Sequence, residues 1–130
     1  MLDARGDARG LRARSVTVGY GKDAPILEDL SLDVLEGQLT VIVGPNACGK
    51  STLLRSLARV LGVRSGAVEL DGRALTTMNQ KELARRLGLL AQSSTAPADI
   101  LVEDLVARGR YPHQSLLRQW SAEDDEAVAW

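Results

Sequence analysis

Gly44-Pro45-Asn46-Ala47-Cys48-Gly49-Lys50-Ser51-Thr52 has the spacing of a phosphate loop: Gly, four residues, Gly-Lys, then Ser or Thr. Such a loop wraps an anion with successive backbone N–H groups. Its glycines let the main chain approach closely and take left-handed angles. Just before it, Leu39-Thr40-Val41-Ile42-Val43 is almost unbroken apolar and β-branched sequence. That composition predicts a strand buried on both faces of a parallel sheet. Just after it, Leu53, Leu54, Leu57, Val60 and Leu61 recur at helical period. Arg55, Ser56 and Arg59 occupy the other side, and Gly62 is placed to stop the helix. Strand, glycine-rich loop and helix in that order is the context that gives the motif its weight. The alternative is a plain strand–turn–helix connection with a solvated lysine.

The chemistry of the motif assigns roles. A helix starting near Lys50 aims its free N–H groups and positive dipole end at the anion. Lys50 would reach the β- and γ-phosphates, the Ser51 hydroxyl would ligate Mg²⁺, and Thr52 would add a further hydroxyl. Cys48 sits beside Lys50 at a helix N-terminus, a setting that can lower a thiol pKa; a small filler residue is the plainer account.

Outward from the loop, residues 1–10 lack apolar periodicity and read as a flexible leader. Val16 to Tyr20 alternates as a half-buried strand, residues 21–25 are turn chemistry, and Leu30, Leu32 and Val34 mark a second strand. Ala67 to Arg73 reads as a strand entering an Asp71-Gly72 turn. Asn79 with Glu82, and Ser121 with Asp124, have capping-box spacing, so each predicts a helix start. Leu87 to Ala91 predicts a short apolar strand ending at Gln92, and residues 93–98 a loop. Asp99 is placed to cap a helix carrying Val102, Leu105 and Val106. The sequence stops at Trp130 inside the last predicted helix, as a cut chain would.

Composition bounds the class without naming a function. The 130 residues are 45% apolar and 25% charged, an ordinary globular balance for about one domain. No apolar stretch approaches the roughly 20 residues of a membrane span. One cysteine excludes an internal disulfide framework and fits a reducing, cytoplasmic setting. Sixteen basic against seventeen acidic residues give no basic excess of the kind nucleic-acid binding rests on.

These residues together resemble the nucleotide-binding subunit of ABC transporters, in particular importer ATPases serving iron–siderophore, haem and cobalamin uptake. The resemblance runs from about Leu11 to the end. Val18-Gly19-Tyr20-Gly21 looks like the A-loop, which makes Tyr20 the aromatic that stacks on adenine. Leu27 to Gly37 has the family's spacing before the loop strand, and Gly66 to Gly72 resembles its antiparallel hairpin. Leu90-Ala91-Gln92 is similar to the Q-loop, whose glutamine meets Mg²⁺ and water. Val102 to His113 is close to a segment of the siderophore-type members that opens the helical subdomain. Ala47 stands where many members carry glycine; if the position needs φ above zero, alanine costs about 1 kcal/mol there.

The resemblance implies an α/β fold: a P-loop NTPase (RecA-like) core with an antiparallel β-subdomain, cut before the signature and Walker B segments. It divides the chain into a leader at 1–10 and an incomplete nucleotide-binding domain at 11–130. Within the latter, 11–37 and 66–75 form the β-subdomain, and 38–62 the loop strand and helix. Residues 87–98 form the Q-loop region and 99–130 the start of the helical subdomain. The implied cofactors are ATP and Mg²⁺. Lys50 and Gln92 are the implied catalytic residues, and Ser51 and Gln92 the implied metal ligands. Tyr20, Gly44, Pro45, Asn46, Ala47, Cys48, Gly49, Lys50, Ser51 and Thr52 are the implied nucleotide contacts. The implied partners are transmembrane permease subunits, a second copy of the ATPase and, indirectly, a substrate-binding protein, with no nucleic acid. The implied location is the cytoplasmic face of the membrane, through the permease. The LSGGQ signature, an apolar strand ending in Asp-Glu and a switch histidine do not occur in residues 1–130, so the expectation is no ATP turnover by this chain alone. His113, the only histidine, reads as a surface residue and the Arg85-Arg86 and Arg108–Arg110 pairs as solvated faces, while the acidic run 123–126 reads as helix-start charge that complements the dipole. Two alternatives stand beside this reading: an inactive nucleotide-binding module, and the ATPase head of an ABC-type DNA-repair protein.

Overall fold

The computed structural model describes residues 9–92, 99–114 and 120–129. Residues 1–8 of the expected leader and the expected 93–98 loop lie outside the described residues. The chain divides into two compact units, residues 1–79 and 80–130.

The first unit is built on an antiparallel sheet of four strands in the order β2-β1-β3-β4. They are β1 (Gly10–Val18), β2 (Leu27–Leu35), β3 (Ser65–Leu70) and β4 (Arg73–Ala74). Strand β1 thus begins at Gly10, six residues before the alternation at Val16 shows it. The cause is a bulge. Ala13 pairs with Leu32 and Val16 with Leu30, so an extra residue interrupts the register. Ser15 takes φ 46°, and the buried positions shift phase from Ala13 to Val16 and Val18. The facing residue Asp29 is also left-handed, at φ 46°. Each displaced N–H finds a hydroxyl across the ladder: Ser15 N–H donates to Ser31 Oγ at 2.8 Å, and Asp29 N–H to Thr17 Oγ1 at 3.3 Å. On the other side of β1, Gly66 (φ 78°) passes so close that a Cβ there would lie 2.3 Å from the Ser15 carbonyl oxygen.

Asp71 and Gly72 both have positive φ, 49° and 74°, the backbone of a type I′ turn that the Asp-Gly pair predicts. Asp71 also closes the sheet: it exchanges bonds with Gly10, whose N–H reaches Asp71 Oδ1 at 2.8 Å.

Helix α1 (Lys50–Leu57) packs on β1 and buries Thr52, Leu53, Ser56 and Leu57. It ends earlier than Gly62. Arg59 N–H donates to Ser56 O and Val60 N–H to Arg55 O, a Schellman cap with Arg59 (φ 57°) in the left-handed place usually given to glycine. The Arg59 guanidinium offsets that conformation by donating from Nη1 to Leu75 O (2.8 Å) and Met78 O (2.6 Å) of the segment after β4. Leu54 and Val60, part of the expected apolar stripe, are therefore exposed. The core of the unit is Ala13, Val16, Val18, Leu53, Leu57, Val68, Leu70, Leu75 and Met78.

Two predicted strands do not form. Residues 39–43 are irregular, with Leu39 92% and Val43 84% exposed, and residues 87–91 are irregular with Leu90 90% exposed. A parallel strand exists only with a neighbour to complete its slanted ladder. Among the described residues the one sheet is antiparallel, and neither segment joins it.

The second unit comprises α2 (Gln80–Ala84), α3 (Val102–Ala107), a 3₁₀ segment (Arg108–His113) and α4 (Ala122–Val128). Helix α3 is preceded by Leu101, without a side-chain cap, and Asp99 does not cap it. Helix α4 has the capping box that its sequence predicts: Ser121 accepts from Asp124 N–H, and Asp124 Oδ2 accepts from Ser121 N–H at 3.0 Å. Arg110 is not a solvated surface charge, and Asp124 does more than complement the helix dipole. Arg110 Nε donates to Asp124 Oδ1 at 2.7 Å, and Asp124 is buried. That guanidinium, with Ser121, holds the Asp124 carboxyl below the usual range. Arg85 Nε donates to Pro112 O at 2.7 Å, while His113 and Arg108 are exposed.

Candidate functional site

The site is assembled in the first unit from two turns. One is the phosphate loop. Within it only Ala47 and Gly49 are left-handed, at φ 62° and 93°, with Cys48 between them at negative φ. Alternation of that kind turns consecutive N–H groups toward one point and makes an anion nest. Ala47 thus occupies the strained conformation that a glycine would take freely. Gly49 is the N-cap of α1 and supplies no side chain to the helix start, and no acidic residue lies in the first turn. The first hydrogen bond of the helix runs from Leu53 N–H to Gly49 O at 2.8 Å. The N–H groups of Lys50, Ser51 and Thr52 therefore have no partner within the helix. Positive dipole end, open donors and a cation on one turn form a donor set that fits a phosphate.

Lys50 lies folded over its own loop. Its ammonium donates to Gly44 O at 2.8 Å and to Pro45 O, and sits 3.6 Å from Cys48 Sγ. An ammonium has three donors, so two are spent on carbonyls here. Cys48 Sγ in turn covers Gly44, where a Cβ would meet the sulfur at 2.9 Å. Gly44, Pro45, Asn46, Ala47, Cys48 and Ser51 are exposed.

The second turn is residues 19–25, joining β1 to β2. Tyr20 is 43% exposed, and its hydroxyl accepts from Arg55 Nη1 of α1 at 3.0 Å. Thr52 hydrogen-bonds the same hydroxyl, and the two hold it below the ordinary phenol pKa, Arg55 contributing most. Thr52 is buried, and its side chain serves the tyrosine. The turns also touch through glycine: a Cβ on Gly49 would lie 2.8 Å from Leu27 Cδ2 and 3.1 Å from Ile26 Cγ2. Tyr20 and residues 44–52 are thus brought into one neighbourhood. Gln92 belongs to the second unit, on an exposed bend.

Residues 27–129 match the family model described as ABC transporter. The chain belongs to the ABC transporter family. Among curated relatives, the family members most similar to it include the ferric enterobactin transport ATP-binding protein FepC of Escherichia coli K12. That protein is 52% identical over 118 residues, 91% of this chain and 43% of the relative. The probable siderophore transport system ATP-binding protein YusV of Bacillus subtilis is 48% identical across 91% of this chain and 42% of its own. The hemin import ATP-binding protein HmuV of Bordetella parapertussis is 44% identical across 82% and 40%. The chain therefore spans less than half the length of these relatives. Among solved structures, a bacterial Atm1-family ABC exporter with ATP bound superimposes with TM-score 0.71 at 33% identity, covering 79% of this chain and 18% of that one. A putative ABC transporter ATP-binding protein from Pyrococcus furiosus gives TM-score 0.62 at 30% identity, over 75% and 46%. The α/β P-loop class and the antiparallel β-subdomain follow from this membership, and nucleotide binding is the family's property. No helix among the described residues is long and apolar enough to cross a membrane.

Two residues of the site escaped the sequence. Arg55 reads as the polar side of an amphipathic helix, and nothing in the sequence singles out Arg64. Both reach the aromatic turn across more than thirty residues of chain, a separation that no local pattern records.

Proposed function

We propose that the chain is the nucleotide-gripping part of an ATP-binding subunit of an ABC importer for iron–siderophore or a related chelate. Such a subunit couples ATP binding and hydrolysis to transport. The observation that carries the reading is the loop itself, left-handed at Ala47 and Gly49, with Lys50 on the open first turn of α1. The importer assignment is supported by the relatives, whose names concern siderophore and hemin uptake.

In this reading the loop N–H groups and the α1 N-terminus hold the β- and γ-phosphates. Lys50 exchanges its carbonyl partners at Gly44 and Pro45 for phosphate oxygens. The Ser51 hydroxyl and Gln92 are the residues that would hold Mg²⁺, which would supply screening of the phosphate charge. Tyr20 stacks on adenine with its exposed face. The subunit works beside permease subunits at the cytoplasmic face of the membrane, paired with a second copy, with the substrate-binding protein acting indirectly. Hydrolysis draws on signature, Walker B and switch elements that residues 1–130 do not carry, so these residues by themselves bind without turnover.

The test is equilibrium binding of a fluorescent ATP analogue to native protein and to Lys50→Ala. Loss of a charged hydrogen bond predicts about 10- to 100-fold weaker binding. Equal affinity of the two proteins refutes the reading.

A further inference from the structure

The aromatic turn has an anchor that the nucleotide reading does not use. Arg64 stands just before β3, its backbone fixed on β1 by a 2.8 Å bond from its N–H to Thr17 O. Its guanidinium crosses to the 19–25 turn and donates to three carbonyls. Nη1 reaches Asp23 O at 2.7 Å, and Nη2 reaches Tyr20 O at 3.0 Å and Gly21 O at 3.1 Å. Gly19 is buried beneath this contact: a Cβ there would lie 2.7 Å from Nη2 and 2.9 Å from Cζ. The glycine before the tyrosine is thus the space in which the guanidinium lies. Gly21, at φ 52°, supplies the left-handed bend that points its carbonyl to the same group. A planar fork with five donors can bridge several acceptors at fixed angles, which an ammonium cannot.

Tyr20 is therefore held twice. Arg64 fixes its backbone, and Arg55 fixes its hydroxyl from α1. Between the two anchors Tyr20 stays 43% exposed. A stacking residue binds best when its rotamer and backbone are set before the ligand arrives, because ordering then costs nothing on binding.

We propose that Arg64 is a positioning residue for base recognition, holding the Tyr20 turn by its three carbonyls so that the ring is presented ready-made to adenine. The inference rests on the reading of Tyr20 as the adenine contact. It makes Arg64 act on the base end of the ligand and not on the phosphate end.

The experiment measures equilibrium affinity of the intact protein for ATP and, separately, for inorganic tripolyphosphate. Tyr20→Ala weakens ATP binding about tenfold, the worth of one aromatic stack, and leaves tripolyphosphate unchanged. Arg64→Met weakens ATP binding by about three- to tenfold, again without effect on tripolyphosphate, and adds nothing to Tyr20→Ala in the double variant. Gly19→Ala reaches the same contact from beneath by displacing the guanidinium. It gives the same selective loss with Arg64 present, which keeps the test open should Arg64→Met fold poorly. Arg64→Lys recovers only part of the affinity. Native ATP affinity in both Arg64→Met and Gly19→Ala, with Tyr20→Ala impaired, overturns the role of Arg64 and leaves the adenine reading standing. Equal losses for ATP and tripolyphosphate also overturn it, since a merely structural residue would give them. A Tyr20→Ala protein with native ATP affinity refutes the adenine reading, and the inference with it.

Discussion

Replacing Arg59 separates two effects that usually hide each other. Its backbone is left-handed at φ 57°, while its guanidinium holds Leu75 O and Met78 O at 2.8 and 2.6 Å. Both acceptors belong to residues only 2% exposed, so water is poorly placed to replace the donor. Arg59→Ala keeps the strained backbone and loses both charged bonds, about 2–3 kcal/mol of stability in all. Arg59→Gly loses the same bonds but regains about 1 kcal/mol, because glycine has no Cβ to crowd the left-handed conformation. The glycine variant is therefore more stable than the alanine variant by about 1 kcal/mol. A residue in the interior of a helix gives the opposite order by a similar amount. In urea unfolding followed by far-UV circular dichroism, the two midpoints differ by about 0.5–1 M, with both below native. An alanine variant as stable as the glycine variant, or more so, would show that position 59 is not a cap. A native midpoint in both would show that the guanidinium contributes nothing.

Three further outcomes follow from the geometry. Ala47 is strained at φ 62°, so nucleotide affinity ranks Ala47→Gly, native, Ala47→Val; isothermal titration should resolve an overall span of about tenfold, roughly 1.4 kcal/mol. Gly66→Ala drives a Cβ to 2.3 Å from the Ser15 carbonyl oxygen, which destabilises the first unit by about 2–4 kcal/mol in thermal unfolding. Asp124, held below its usual pKa by Arg110 and Ser121, stabilises α4 at pH above the unfolded carboxyl's pKa. That contribution is lost as pH falls below about 4, toward the depressed folded value. Asp124→Asn removes this acid transition from the amide shifts of residues 121–128, and a transition that persists in the variant belongs to another group.

What could be read in advance was what is local. The capping box of Ser121 and Asp124 spans four residues, and the Asp71-Gly72 turn two; both formed as the sequence predicts. The first half of β1 was hidden because the bulge at Ser15 shifts its alternation by one residue, which breaks the period that marks a strand. The end of α1 was misplaced at Gly62 because Arg59 takes the left-handed cap with help from carbonyls sixteen and nineteen residues away. Apolar content alone predicts strands at 39–43 and 87–91, but a strand is a property of a pair, and the described residues supply no parallel partner. In the site, the loop was legible as a motif with its backbone reason, φ above zero at Ala47 and Gly49. The arginines that hold Tyr20 were not, because a contact between residues 64 and 20 leaves no periodic trace.

The four paired strands lie wholly within residues 10–74, and this sets an order on the birth of the molecule. On a ribosome, which releases the chain from its N-terminus, the antiparallel sheet has all its members as soon as Ala74 clears the exit tunnel. Helix α1 can then dock on β1 and present Lys50 before the residues after 74 have emerged. The 39–43 segment is at that moment strung between finished elements, with Val41 and Val43 facing water. The nascent phosphate loop is thus shaped from its helical side first. A phosphate-bearing ligand that meets the loop at that stage would favour the folded chain by mass action.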